Sequence, residues 1–203
     1  MMTSLRLGLG NIARSQEAAL WIADVPGVVE TLCMLMKTDN TAFEYSALGT
    51  VKNLSIAPGN KPKLLTAEVI GALSTAMKSP QGPVQYLASS ALRSICIEQP
   101  SALIQTLVAE HGGLVERLVH LSEQEEQHVH SEALRALVNI VRYGQTPPPA
   151  AVLAALPGLI KAGRISPSQP RTCSRTLVGY FDPGSEHPSI VLSGRHPDAF
   201  YLC

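Results

Sequence analysis

One pattern that returns at a long, regular interval constrains this chain more than any other feature. Within Ser46 to Ile56 it consists of Leu48, Val51, Asn53 and Leu54, and 86 residues later Leu134, Leu137, Asn139 and Ile140 repeat all four positions (139 − 53 = 86). Midway, Leu92 and Ile95 fall in frame with Ile97 in the asparagine position, giving steps of 44 and 42. A further 42 residues upstream of Asn53, Leu9, Asn11 and Ile12 fit the end of the same pattern. Apolar residues at this spacing share one helix face. Such a stripe recurring at a fixed long period is the signature of stacked units, each burying its apolar face only against its neighbours.

Between the stripes the chain follows one plan: a short helix, a corner, a second apolar helix, a turn, and the long helix carrying the pattern. Corners are expected at Ala23 to Val29, Ala67 to Leu73, Ala109 to Val115 and Ala155 to Ile160, each holding Gly or Pro. Glycine lets the backbone reverse at a helix end, and proline is tolerated in a first turn. The second helices are then Val28 to Met36, Ile70 to Met77, Leu114 to Leu121 and a short Leu156 to Lys161. Thr41 with Glu44 and Ser122 with Glu125 have the spacing of capping boxes at the starts of long helices.

Three helices in a unit of about 42 residues is the plan of the armadillo repeat. The expected fold class is all-α, an armadillo-type α-solenoid over residues 1–163, followed by a poorly ordered tail over 164–203. The units are a partial repeat at 1–13, repeats at about 14–57, 58–98 and 99–145, and a broken repeat at 146–163. The tail holds five prolines, six serines and three glycines and carries no helical stripe, too little apolar surface to offset ordering. With the first pattern incomplete and the last segment unrelated, the chain reads as cut at both ends.

Composition narrows the chemistry. Aromatics are only 4% of the chain, so Leu, Val and Ala must fill the core, which suits close helix packing. Sixteen basic residues balance sixteen acidic ones, which argues against a nonspecific nucleic-acid partner and a polybasic membrane role. No apolar run is long enough to span a bilayer, so no membrane insertion is expected. Cys33, Cys96, Cys173 and Cys203 lack CxxC spacing and are expected to be reduced thiols. Gly8, Gly10 and Ala13 spell a dinucleotide-type GxGxxA, but no strand precedes it and no acidic strand end follows. His120, His128 and His130 lack the ligand spacing of a zinc site, so neither cofactor nor metal is expected. No nucleophile, base and orienting acid stand at recognisable spacing, so no active site of its own is expected.

The stretches Ser46-Ala47-Leu48, Val51 to Ile56, Asn60-Lys61, Lys63-Leu64-Leu65 and Leu114 to Val119 resemble the small-GTPase GDP dissociation stimulators, the SmgGDS family of armadillo proteins, over roughly residues 5–162. The resemblance implies a guanine-nucleotide exchange factor and chaperone-like binder of Ras- and Rho-type small GTPases with a basic, prenylated C-terminus. It implies action in the cytosol, with endoplasmic reticulum and mitochondrial association, and no cofactor or covalent chemistry. Such a factor works by preferring one state of its partner. The alternative is a generic armadillo scaffold holding an extended peptide. Peptide-binding arrays usually place a tryptophan one turn before the groove asparagine, whereas Gly49 and Arg135 stand there, and the sole tryptophan is Trp21 on a first helix.

In an armadillo stack the third helices line the inner, concave face. Stepping back four, seven and eleven residues from the asparagine position gives the expected exposed stripe. From Asn139 it selects Arg135, Glu132 and His128, with Arg142 one turn further on; from Ile97 it selects Arg93, Ser90 and Tyr86; from Asn53 it selects Gly49, Ser46 and Ala42. The candidate partner-binding residues are therefore Ser46, Asn53, Tyr86, Ser90, Arg93, His128, Glu132, Arg135, Asn139 and Arg142. Amides and guanidinium groups so placed can hold a partner segment by hydrogen bonds, Arg gripping carboxylates. The competing reading is that they are solvated or bond between repeats. Glu123, Glu125 and Glu126 form an acidic turn that is expected to be a solubilising surface.

Overall fold

The computed structural model describes residues 13, 15–144 and 150–162, and the tail at 164–203 lies outside them. Of the partial first repeat only Ala13 is described; it is buried. Among the described residues there are ten α-helices, three units of three and one further helix. The first holds α1 (Gln16–Asp24), α2 (Val28–Met36) and α3 (Thr41–Leu54). In the second, a 3-10 turn at Pro58–Asn60 runs into the short α4 (Lys61–Leu64), then α5 (Ala67–Ala76) and α6 (Gly82–Ile95). The third holds α7 (Ser101–Glu110), α8 (Leu114–Ser122) and α9 (Gln127–Gly144), and α10 (Ala150–Lys161) closes against α8.

The local chemistry sets these bounds. Ser15, Asn40 and Thr66 cap α1, α3 and α5, their side chains accepting from Ala18 N, from Ala42 N and Phe43 N, and from Val69 N. The cap expected at Thr41 is thus one residue late: Asn40 does the work and Thr41 is the first helical residue. Ser122 is likewise no cap, being the buried last residue of α8 with its hydroxyl on Val119 O, 2.6 Å away. At the corners before α2 and α8, Gly27 and Gly113 adopt φ of 80° and 89°, left-handed values that a side chain disfavours.

Two expected corners are instead helix. Gly71 lies inside α5, where a Cβ would come within 3.3 Å of His111 Cε1, so the glycine serves a close approach of the α7–α8 corner. Pro157 and Gly158 lie inside α10, which continues through the proline although that residue has no N–H to donate back.

The third helices of the three units, α3, α6 and α9, stand side by side, with α6 packed along both neighbours. Their buried faces meet through Leu48, Val51 and Leu54, then Ala88, Leu92 and Ile95, then Leu134, Leu137 and Ile140. Each such Leu, Val or Ile side chain contributes about 1.5–3 kcal/mol by leaving water.

The stacking also fixes the repeat register. α3 and α6 are both 14 residues long, so Thr41 corresponds to Gly82 and Leu54 to Ile95, a step of 41. On that step Val51 matches Leu92 and Asn53 matches Ser94, and the next step to Asn139 is 45 (139 − 94 = 45). Ile97, expected in the asparagine position, lies past the end of α6. Ser94 takes that position, and its hydroxyl donates to Ser55 O at 2.9 Å in the preceding unit. Asn139 does the equivalent, its amide donating to Arg93 O at 2.8 Å.

Among the described residues no single helix is long and apolar enough to cross a membrane; α1 and α2 together reach that length but meet at 92°.

Candidate functional site

The surface built by α3, α6 and α9 is the candidate site, and its polar groups form rows that run from unit to unit. In one row, Lys52 of α3 donates from Nζ to Tyr86 Oη at 3.4 Å, its ammonium 5.1 Å from the ring centroid. Tyr86 in turn makes a T-shaped contact with exposed His128 of α9, with centroids 6.4 Å apart and planes at 78°. Lys52, Tyr86 and His128 thus bridge three units.

A second row centres on Glu132. Arg93 Nε donates to Glu132 Oε2 at 2.7 Å across the repeat boundary, and Arg135 Nη1 donates to Oε1 at 2.8 Å within α9. Burial alone would raise the Glu132 carboxyl pKa. The Arg93 charge, with hydrogen bonds from Arg93, Arg135 and Ser90, outweighs burial and holds the group below its ordinary value. Asn139 completes the row by bonding the backbone of Arg93.

The ten expected residues therefore separate. Tyr86, Arg93, His128, Glu132, Arg135 and Asn139 come together around the α6–α9 boundary, with Ser90 beneath them. Ser90 and Glu132 are 1% and 6% exposed, so their expected exposure is corrected: they are covered because Glu132 turns toward α6 to meet Arg93. Ser46 donates to Ala42 O at 2.8 Å within its own helix, and Asn53 is half-buried near the end of α3. Arg142 lies 5.6 Å from the Tyr143 ring, two turns beyond Arg135.

Two contributors escaped the sequence stripe. Tyr45, 49% exposed, occupies the place on α3 that Tyr86 occupies on α6, and Lys52 the place of Arg93. The 41-residue step superposes both pairs, whereas the 44-residue step hid them.

Elsewhere the chemistry is quiet. Burial pushes the Cys33 thiol up to about 11 and the Cys96 thiol up to about 12, and both are free thiols within the core. An apolar cavity of about 10 Å³, room for about one water, lies between Leu65, Ile70, Leu92, Ile104 and Ile140. Among the described residues no three of His, Cys, Asp and Glu are grouped to hold a metal. The acidic turn reaches into the stack at one point, Glu126 lying against Gly82 at the start of α6.

Three-helix units with aligned third helices and side chains bonding from one unit to the next define an armadillo-repeat α-solenoid. A designed armadillo repeat protein in complex with the peptide (KR)4 has the same fold, with a TM-score of 0.66 at 20% identity over 84% of this chain and 71% of that one. No protein-family model matches the chain. Rap1 GTPase-GDP dissociation stimulator 1-A of Xenopus laevis is 28% identical over 144 residues, 69% of this chain and 23% of that protein. The GTPase-GDP dissociation stimulator vimar of Drosophila melanogaster is 24% identical over 148 residues, 70% of this chain and 23% of its own length. The chain thus has the fold of an armadillo-repeat α-solenoid and is similar in sequence to GTPase-GDP dissociation stimulators, spanning less than a quarter of the length of these relatives.

Proposed function

We propose that this chain is a regulator of small GTPases that works by protein–protein contact, gripping its partner on the face of α3, α6 and α9. Sequence similarity to GDP dissociation stimulators, running through the repeats over 144 residues, is the observation that carries the reading. On it, the chain is a guanine-nucleotide exchange factor and chaperone-like binder of Ras- and Rho-type GTPases, including prenylated forms with a basic C-terminus, acting in the cytosol. Exchange needs no chemistry from the protein, only tighter binding of the nucleotide-free partner than of the loaded one. Tyr86, Arg93, His128, Arg135, Asn139 and Arg142, with Ser46 and Asn53 on α3, are the side chains proposed for that contact.

Release of labelled GDP from a panel of Ras and Rho GTPases, prenylated and not, tests the proposal alongside direct binding. Accelerated release establishes exchange, binding without acceleration leaves a binder, and no binding to any member overturns the reading. The alternative, a scaffold for an extended peptide, is favoured by one observation, the continuity of the Lys52–Tyr86–His128 row across three units. It predicts peptide binding that no GTPase displaces.

A further inference from the structure

The turn between α5 and α6 holds chemistry that the candidate face does not use. Ser79-Pro80 is the one Ser-Pro or Thr-Pro pair among the described residues. A residue before proline is held out of the helical region, so α5 ends short of Ser79 and the serine lies in a bend. Lys78, Pro80 and Gln81 around it are exposed, and Ser79 itself is half-buried. The bend is fixed from beneath, where buried Gln85 donates from Nε2 to Ser79 O at 2.6 Å. The Ser79 hydroxyl lies at the start of α6, accepting from Gln81 N at 3.3 Å.

An anion is already drawn to that place. α6 starts without a side-chain cap, because Gln81 makes none, so the positive end of the helix is left to other groups. Glu126, from the turn between α8 and α9 in the next unit, fills it. Its carboxylate lies so close to Gly82, the first residue of α6, that a Cβ there would collide with both oxygens. Charge rather than apolar packing thus ties this turn to α6. Two cations also stand by the bend: exposed Lys78, and Arg117 of α8, whose Nε donates to Met77 O at 2.9 Å.

We infer that Ser79 is a phosphorylation site for a proline-directed serine/threonine kinase, and that its phosphate displaces Glu126 from the start of α6. In the transfer, Ser79 Oγ attacks the γ-phosphorus of ATP and the bond to the β,γ-bridging oxygen breaks. ADP departs, and the hydroxyl proton passes to the carboxylate base of the kinase. The product carries about two negative charges near neutral pH, against the single charge of Glu126. Both anions compete for one helix end. The phosphate holds the advantage, being doubly charged, attached to the chain beside that end and close to Lys78 and Arg117. Glu126 is then repelled, the α8–α9 turn is released, and the second and third units loosen where α6 meets α9. Ser79 takes this role whichever partner the third-helix face holds.

The full 203-residue chain, incubated without denaturant with magnesium ATP and, in parallel, a cyclin-dependent and a mitogen-activated protein kinase, tests this. Mass spectrometry of the digest separates Ser79 from Thr146 and Ser166, which also precede proline. Phosphate at Ser79 is expected; its absence there, or its appearance only after unfolding, overturns the site. Hydrogen exchange reads the displacement. Phosphorylation is expected to speed amide exchange over 125–129 about fivefold, the worth of one charge at a helix end. Glu126→Gln is expected to give the same rise without phosphate and no further rise with it, while Ser79→Ala gives neither phosphate nor rise. Unchanged exchange over 125–129 in the phosphorylated protein, or a rise that Glu126→Gln does not absorb, overturns the displacement.

Discussion

Glu132 is the residue on which the candidate face turns. A carboxylate taken out of water is costly unless its charge is met, and here two guanidinium groups and a serine meet it. Arg93→Ala removes the cross-repeat partner and leaves that charge half-compensated, so unfolding in urea is expected to show a loss of about 3 kcal/mol. The acid limb of the stability curve carries the same information. A carboxyl whose pKa is lower folded than unfolded stabilises fully above the unfolded value, and that contribution is lost as pH falls through the folded value. Stability is therefore expected to decline as pH drops below the ordinary value of 4.5, and Glu132→Gln removes this part of the decline. Titration of both proteins by circular dichroism between neutral and strongly acid pH checks it; parallel curves would refute the assignment. Sequence placed Glu132 in the exposed stripe of α9 and could not show it turned inward. That depends on Arg93, 39 residues away, arriving beside it.

At the scale of elements, the bonds at the asparagine position tie α6 to α3 and α9 to α6. Ser94→Ala and Asn139→Ala each remove one hydrogen bond to a preceding helix end and are each expected to cost about 1 kcal/mol. Because Asn139 is bonded to Arg93 O, Asn139→Ala is expected to lose stability as well as any partner binding, and Arg135→Gln is expected to lose both as well, since it takes a guanidinium from the buried Glu132. Thermal melts run beside the binding assay separate the two losses. Gly113→Ala, at φ of 89°, is expected to cost about 1 kcal/mol in the same melts, whereas Gly112, outside the left-handed region, tolerates Ala. Much of this level was legible beforehand. The 86-residue recurrence, the Pro26-Gly27 and Gly112-Gly113 corners and α2 with its limits follow from sequence. The middle register did not, because the rule sought Asn or an aliphatic, and Ser94 makes the same kind of bond with a hydroxyl. Gly71 and Pro157 misled because glycine marks a close approach as readily as a corner, and a helix held by packing can run through one proline.

At the scale of the molecule, α6 is the joint. It packs along α3 on one side and α9 on the other, and its buried residues Leu92 and Ile95 belong to the core that runs through the described units. In a stack where each unit touches only its neighbours, stability is the sum of unit terms and interface terms, and a weak interface uncouples what lies on either side. Ile95→Ala removes apolar volume that a rigid neighbour cannot refill, at an expected cost of about 2–5 kcal/mol. Its effect on cooperativity should exceed that of the same change at Ile22, buried in α1 away from α6. Trp21, the only tryptophan and 70% exposed on α1, reports the first unit, while helix content reports all of them. In the unaltered protein the fluorescence and circular dichroism transitions in urea are expected to coincide. In Ile95→Ala they are expected to part, with residual helix on one side of α6 outlasting the other. Coincident curves in that variant would mean that the units remain coupled without α6, through the α2–α5 and α5–α7 contacts, and the joint would have to be placed there instead.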